Sequence, residues 1–292
     1  MALLLTPFDQ NRSIDWGVYA EYVDWQVAHG PQGLFALCGT SEMKWLTLEE
    51  RLRLAKEAVD RAKGKPVLAT ANLDLDLTKH PDEIRRMCDT GVAAVVLVPP
   101  TGLGRNQDRL EAYFASVAGA ATCPVFLYEW PQVEAYFIDA EAYGRLATSG
   151  AIMGIKDTTC TVAGITAKIN AAPDAIVYQA NTPYLPEALQ AGARGIMAIT
   201  SSACADLVSR YWHAAAKQAG VGQDSTGDPT QAARLHNQLV YLDAILRIAH
   251  PLLAKHLVGL RGFDFPTECR WPVSAPPEVF QALSVWAKSE LA

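Results

Sequence analysis

Short, uninterrupted apolar runs alternate with longer amphipathic segments along most of this chain. The runs cover residues 2–7, 33–38, 66–71, 93–99, 124–128, 151–155, 175–179 and 195–200. They are continuous rather than alternating in polarity, which is the pattern of parallel strands buried on both faces. The intervals between them are long enough to hold crossover helices, so the rhythm predicts an α/β chain of eight strand–helix units. Helix signals agree. Thr47 precedes LEERLRLAKEAVDRAK, Glu50 stands three residues on as a capping box requires, and Lys63-Gly64 supplies a stop. Together these units predict a (β/α)8 TIM barrel over residues 1–205. Beyond residue 200 the strand-like runs cease. Residues 206–219 and 231–260 read as helices on either side of the polar stretch GVGQDSTGDPT, predicting a C-terminal helical extension, 206–292, packed on the barrel as part of one structural unit. Two open-sheet domains are the alternative, but the chain has no GxGxxG, no P-loop and no linker near its middle.

With 292 residues, half of them apolar, the chain can bury a full core. The formal charge of -6, with Lys and Arg interleaved among Asp and Glu, leaves no basic stripe for phosphates and argues against nucleic acid as a partner. No apolar run approaches the roughly 18 residues that span a bilayer. The opening MALLLTPFDQN carries neither the basic segment nor the cleavage site of a signal peptide, so a cytoplasmic protein without a membrane partner is expected. Cys38, Cys88, Cys123, Cys160, Cys204 and Cys269 form no CxxC pair and lie beside no histidine at ligand spacing. They read as reduced thiols, and no metal is expected.

In a barrel of this kind the reacting groups lie at the C-terminal ends of the strands. The sharpest candidate is Lys156, which closes the sixth run in Met153-Gly154-Ile155-Lys156-Asp157-Thr158. Desolvation among apolar strand ends disfavours the ammonium, lowers its pKa and leaves an amine able to attack a carbonyl. Periodicity alone equally allows a structural lysine paired with Asp157. Tyr128 ends the fifth run, on the neighbouring strand, where a phenol can move protons; an aromatic there can also simply pack. The turn Cys38-Gly39-Thr40-Ser41-Glu42 is small and hydroxyl-rich. Its free backbone N–H groups can form a nest for a carboxylate, or it can serve as an N-cap loop.

Taken together, these segments resemble the dihydrodipicolinate synthase and N-acetylneuraminate lyase superfamily. The matching pieces are Thr6-Pro7-Phe8 with Asp15, the turn at 38–42 followed by LTLEER, the stretch from Tyr128 to Pro131, Gly154-Ile155-Lys156-Asp157, and the late Pro251, Lys255 and Arg270-Trp271-Pro272. The resemblance implies a barrel with a helical tail, a homotetramer or homodimer, and a lysine that forms an imine with pyruvate or another 2-oxo acid. Lys156 inherits that role and Tyr128 the proton shuttle. Thr40, flanked by Gly39 and Ser41, inherits the binding of the 2-oxo acid's carboxylate. No cofactor is implied beyond the covalent lysine imine.

The chain also departs from the family's pattern. An ungapped alignment back from Leu46 puts Gly39 where the family has the first hydroxyl of a pair, and 98–102 reads VPPTG, without the tyrosine that completes the synthases' relay. Val133 stands where the synthases carry an arginine for the second substrate's carboxylate, and Glu134 follows it. Losing a guanidinium and adding a carboxylate should weaken binding of an acidic aldehyde. Glu129, Trp130, Gln179, Asn181 and Met197 are expected to face the substrate, where acceptors and a flat apolar ring suit a neutral polyhydroxylated or aromatic tail. The expected activity is a Schiff-base-dependent aldolase or dehydratase acting on pyruvate-derived 2-oxo acids such as 2-keto-3-deoxy sugar acids. The rival readings are a dihydrodipicolinate synthase with a rearranged relay and a catalytically silent barrel that binds a 2-oxo acid.

Overall fold

The computed structural model describes residues 1–216, 220 and 227–291. Strands and helices alternate as β1 (Ala2–Leu3), α1 (Trp16–Ala28), β2 (Leu34–Leu37), α2 (Leu48–Arg61), β3 (Val67–Thr70), α3 (His80–Asp89), β4 (Ala94–Leu97) and α4 (Gln107–Ala118). They continue as β5 (Val125–Tyr128), α5 (Ala140–Thr148), β6 (Gly154–Asp157), α6 (Val162–Ala171), β7 (Ile176–Gln179), α7 (Leu185–Ala191), β8 (Gly195–Ile196) and α8 (Ala205–Ala215). The strands are all parallel and ordered β1 to β8 in one sheet, the TIM-barrel arrangement. The seam between β8 and β1 is bridged by Met1 N donating to Ile196 O at 3.0 Å and Leu3 N donating to Ser201 Oγ at 3.2 Å. The capping box also forms: Thr47 Oγ1 accepts from Glu50 N, and Glu50 Oε2 accepts from Thr47 N.

Every expected run contains or overlaps a strand, because strands buried on both faces must be apolar throughout. The sixth is displaced: β6 ends at Asp157, so Lys156 belongs to the strand itself rather than to the loop beyond it. Period-2 alternation then sorts the wall into two shells. Leu3, Phe35, Leu68, Val96, Phe126, Tyr128 and Met197 point into the barrel, whereas Leu37, Leu127, Ile155 and Val177 pack outward against the helices. The ladder between β2 and β3 slips between Phe35 and Leu37. That irregularity shifts the alternation by one and turns Cys38, three residues after Phe35, into the interior.

The C-terminal region differs from expectation in its helix boundaries. α9 (Pro229–Ile248) and α10 (Leu252–Leu260) replace one helix over 231–260. Pro251 cannot donate to the helical ladder and pushes the residue before it out of helical geometry. A further helix, α11 (Pro277–Glu290), packs on α9 and α10. The expected helix over 206–219 is described to residue 216, and its last three positions, with residues 221–226 of the polar stretch, lie outside the described residues.

Candidate active site

Three inward residues share one rung of the sheet: Tyr128 of β5 is paired with Lys156 of β6, and Lys156 with Tyr178 of β7. Lys156 is 4% exposed. Its Nζ lies 4.2 Å from the Tyr128 ring centroid and 5.3 Å from that of Phe35. Among the described residues it makes no ion pair. Burial lowers its pKa from 10.5 to about 8, a shift that the nearby Cys38 partly opposes. Gly154, two residues earlier on the same face, has no room for a side chain. A Cβ there would fall 2.1 Å from Ile176 O and 2.8 Å from the Phe126 ring. Tyr128 is buried as well, and burial raises its pKa well above 10, so the resting group is a neutral phenol.

The next rung points the other way and corrects several sequence expectations. Asp157 does not pair with Lys156. Its carboxylate faces outward and binds Lys168 of α6 at 2.8 Å. Glu129, expected to face the substrate, is fully buried in the same outer network. It binds Lys168 at 2.7 Å and accepts from Ile138 N and Thr158 N at 3.0 Å each. Burial works against the Lys168 ammonium, but the two carboxylates outweigh it and hold its pKa raised. Gln179 is paired with Asp157 in register and is likewise turned outward, accepting from Asn181 N at 2.6 Å. Asn181 accepts from Arg247 of α9 at 3.1 Å, while its buried Nδ2 has no partner among the described residues. One-residue parity explains Glu129, Asp157 and Gln179: each follows an inward strand residue and points away from the interior.

The turn after β2 is closed internally. Ser41 Oγ accepts from Cys38 N at 2.6 Å and donates to Cys38 O at 2.9 Å. Ser41, expected to contact substrate, therefore has its hydroxyl committed to the turn. Thr6 Oγ1 donates to Ser41 O at 2.8 Å and ties the turn to the strand-1 segment. Among the described residues Gly39 N and Thr40 N are left without acceptors, the nest that a carboxylate requires. The Thr40 hydroxyl is met by Nε2 of His250 at 3.1 Å. Trp130, two residues beyond Tyr128, and Met197, after β8, both join the inner cluster. Thus Lys156, Tyr128, Gly39, Thr40, Trp130 and Met197 converge on the mouth, whereas Glu129, Gln179, Asn181 and Ser41 do not present their polar groups to it. Val133 packs into the inner cluster too.

Two residues near the mouth carried no signal in local patterning. His250 comes from the break between α9 and α10, and burial lowers its pKa to about 3, so the imidazole is neutral. Tyr136, in the loop after β5, packs against the inner cluster. The C-terminal region also braces the turn. Lys255 and Glu42 form a fully buried pair at 2.7 Å, Trp271 N donates to Glu42 Oε2 at 2.7 Å, and Arg270 holds Glu50 through two bonds of 2.8 Å.

A parallel eight-stranded barrel with a buried strand-6 lysine beside a strand-5 tyrosine falls in the class I aldolase and lyase group of TIM-barrel enzymes. Residues 1–281 match the dihydrodipicolinate synthetase family, and the chain belongs to it. The 4-hydroxy-tetrahydrodipicolinate synthase of Brachyspira hyodysenteriae is 22% identical over an alignment covering 92% of this chain and 89% of that protein. The Afipia carboxidovorans protein of the same name is 28% identical, covering 89% and 85%. Among solved structures, YagE of E. coli K12, a member of this family crystallised with pyruvate, superposes with a TM-score of 0.87 at 23% identity, covering 99% of this chain and 97% of that one.

Proposed function

We infer that this chain is a Schiff-base lyase that cleaves or dehydrates hydroxylated 2-oxo acids of the 2-keto-3-deoxy sugar acid type. The observation that carries the reading is Lys156: buried, inward, unpaired by any carboxylate and held between aromatic faces, so that its amine is freed at a lower pH than that of an exposed lysine. The amine adds to the 2-oxo carbon, and the carboxylate lies against Gly39 N, Thr40 N and the Thr40 hydroxyl. Tyr128, a neutral phenol at rest, gives its proton to the carbinolamine hydroxyl, which leaves as water. A phenolate then stands beside the iminium cation. In cleavage the phenolate takes the proton of the substrate's hydroxyl, the carbon–carbon bond breaks, and its electron pair passes to the iminium, giving an enamine and an aldehyde. Tyr128 returns the proton to the enamine carbon. Water then hydrolyses the remaining imine, with the phenolate taking a proton from it. The proton circulates between Tyr128 and substrate, so the cycle needs neither a relay to bulk solvent nor a metal or organic cofactor.

Intact mass spectrometry after incubation with pyruvate and borohydride tests the reading. A pyruvate-sized adduct in wild type and none in Lys156→Ala is expected. Absence from both would favour a silent binding barrel or a different 2-oxo acid. The synthase reading is favoured by the names of the relatives and opposed by Val133, which offers the second carboxylate no charge. A condensation assay with pyruvate and aspartate semialdehyde separates the two. Exposed Leu75, Leu77 and Phe137 on the loops after β3 and β5 support assembly into a homodimer or homotetramer; light scattering measures it. Among the described residues no helix is long and apolar enough to cross a membrane, which is compatible with a cytoplasmic enzyme.

A further inference from the structure

At the rim where the strands begin, two thiols touch. Cys88 is the next-to-last residue of α3, and Cys123 lies two residues before the start of β5. Lys156 and Tyr128 stand toward the far ends of their strands, so the pair belongs to the opposite face of the barrel. Both cysteines are free, and their sulfurs are 2.9 Å apart although 35 positions separate them in the chain. Sulfurs that close are within about 0.9 Å of a disulfide bond. Cys123 is half-buried and lines, with Ala118, Pro124 and Met153, a groove open to solvent, and Cys88 is 8% exposed. The contact also divides the charge. The Cys123 thiol donates to the Cys88 sulfur and lowers its pKa to about 6; burial opposes the shift and Thr122 supports it. The same bond raises the pKa of Cys123. A thiolate in contact with a second thiol is the arrangement of a reactive cysteine with its resolving partner. The other cysteines lack that pairing: Cys38 and Cys204 are fully buried, and Cys160 is exposed without a thiol neighbour among the described residues.

We propose that Cys88 and Cys123 form a peroxide-reactive dithiol that closes to a reversible disulfide between the end of α3 and the loop before β5. The Cys88 thiolate attacks one oxygen of hydrogen peroxide, the O–O bond breaks, and the second oxygen leaves as hydroxide, which takes a proton to become water. The Cys123 sulfur then attacks the sulfenic acid so formed. The S–S bond forms, the S–O bond breaks, and the hydroxyl leaves with the Cys123 proton as water. The two sulfurs together give up two electrons and the peroxide takes them, so no further oxidant enters. The new bond closes a loop that contains β4 and α4, and such a loop restricts the unfolded chain more than the folded barrel. It stabilises the wall from the rim opposite Lys156 and does not depend on the Schiff-base reading.

The test treats the full chain, reduced and then freed of reductant, with equimolar hydrogen peroxide at pH 7, followed by alkylation in denaturant and peptide mapping by mass spectrometry. The expected product has lost two hydrogens, keeps four of its six thiols and yields a cross-linked peptide pair joining Cys88 to Cys123. Dithiothreitol should restore all six. The pair should be consumed about tenfold faster than Cys160. Oxidation should raise the melting temperature by several degrees in wild type and leave it unmoved in Cys88→Ser and Cys123→Ser. The wild-type map decides the matter even where a serine variant folds poorly. Oxidation of Cys160 ahead of the pair, sulfinic acid on Cys88 in place of the cross-link, or retention of all six thiols would overturn the proposal, and so would a cross-link that leaves wild-type melting unchanged.

Discussion

Replacing Lys156 with methionine should make the protein more stable while removing its chemistry. The lysine is held where its ammonium is poorly solvated, and the fall of its pKa from 10.5 to about 8 measures that burden. The difference corresponds to about 3 kcal/mol of folding free energy, which is a large part of a typical domain's stability. The sign follows from proton counting. At pH 7 the lysine is protonated in both the folded and the unfolded chain, so the full cost is present. Between pH 8 and 10.5 the folded lysine has given up its proton while the unfolded one keeps it, so wild-type stability rises with pH; above 10.5 the difference closes. Methionine keeps most of the aliphatic stem against Tyr128 and Phe35 and carries no charge. Urea unfolding followed by tryptophan fluorescence should therefore show Lys156→Met ahead by about 3 kcal/mol at pH 7 and by only about 1 kcal/mol at pH 9.5. A variant less stable than wild type at pH 7, or a gain that does not shrink with pH, would refute the reasoning and mean that Nζ is solvated.

Tyr128→Phe removes a phenol that has no hydrogen bond to the rest of the described protein. Turnover of a hydroxylated 2-oxo acid should fall by about 10²–10⁴ with little change in the melting temperature, and a matching loss of thermal stability would instead make the residue structural. Lys168→Met strands the Glu129 and Asp157 carboxylates in the wall. Denaturation should show a loss of about 3–5 kcal/mol at pH 7 that lessens as acid neutralises Glu129, whose pKa burial raises, and a neutral substitution would mean that water reaches the network. The rate of pyruvate adduct formation at low pyruvate should climb with pH through about 8 and then level off as the Lys156 amine is freed. His250, already neutral above about 3, should add no inflection between pH 5 and 7. An inflection near pH 10 would show an unperturbed lysine.

The barrel was legible because eight runs, each buried on two faces, leave few other ways to hide so much apolar surface. Lys156 and Tyr128 were legible as polar residues where apolar runs end. Facing was read less well. Once Tyr128 and Lys156 are taken as inward, alternation alone sends Glu129 and Asp157 outward, and in-register pairing carries Gln179 with them. Treating every polar residue at a strand end as a substrate contact overlooked that parity. His250 was beyond reach for a different reason: nothing in the spacing between residues 40 and 250 says that they touch, and only the packed tail brings them together.

The buried Glu42–Lys255 pair, the Arg270–Glu50 fork and the Trp271–Glu42 bond join residues separated by 213 to 229 positions. A chain emerging from the ribosome can wind its eight strands well before it has made Lys255 and Trp271, but until both are in place Glu42 lacks its full set of partners and the carboxylate-binding turn its brace. Completion of the site is thus tied to completion of synthesis. A barrel still being made would hold its reactive amine beside an unfinished cradle, and a chain stalled short of Trp271 would be folded in its walls yet unable to seat a substrate.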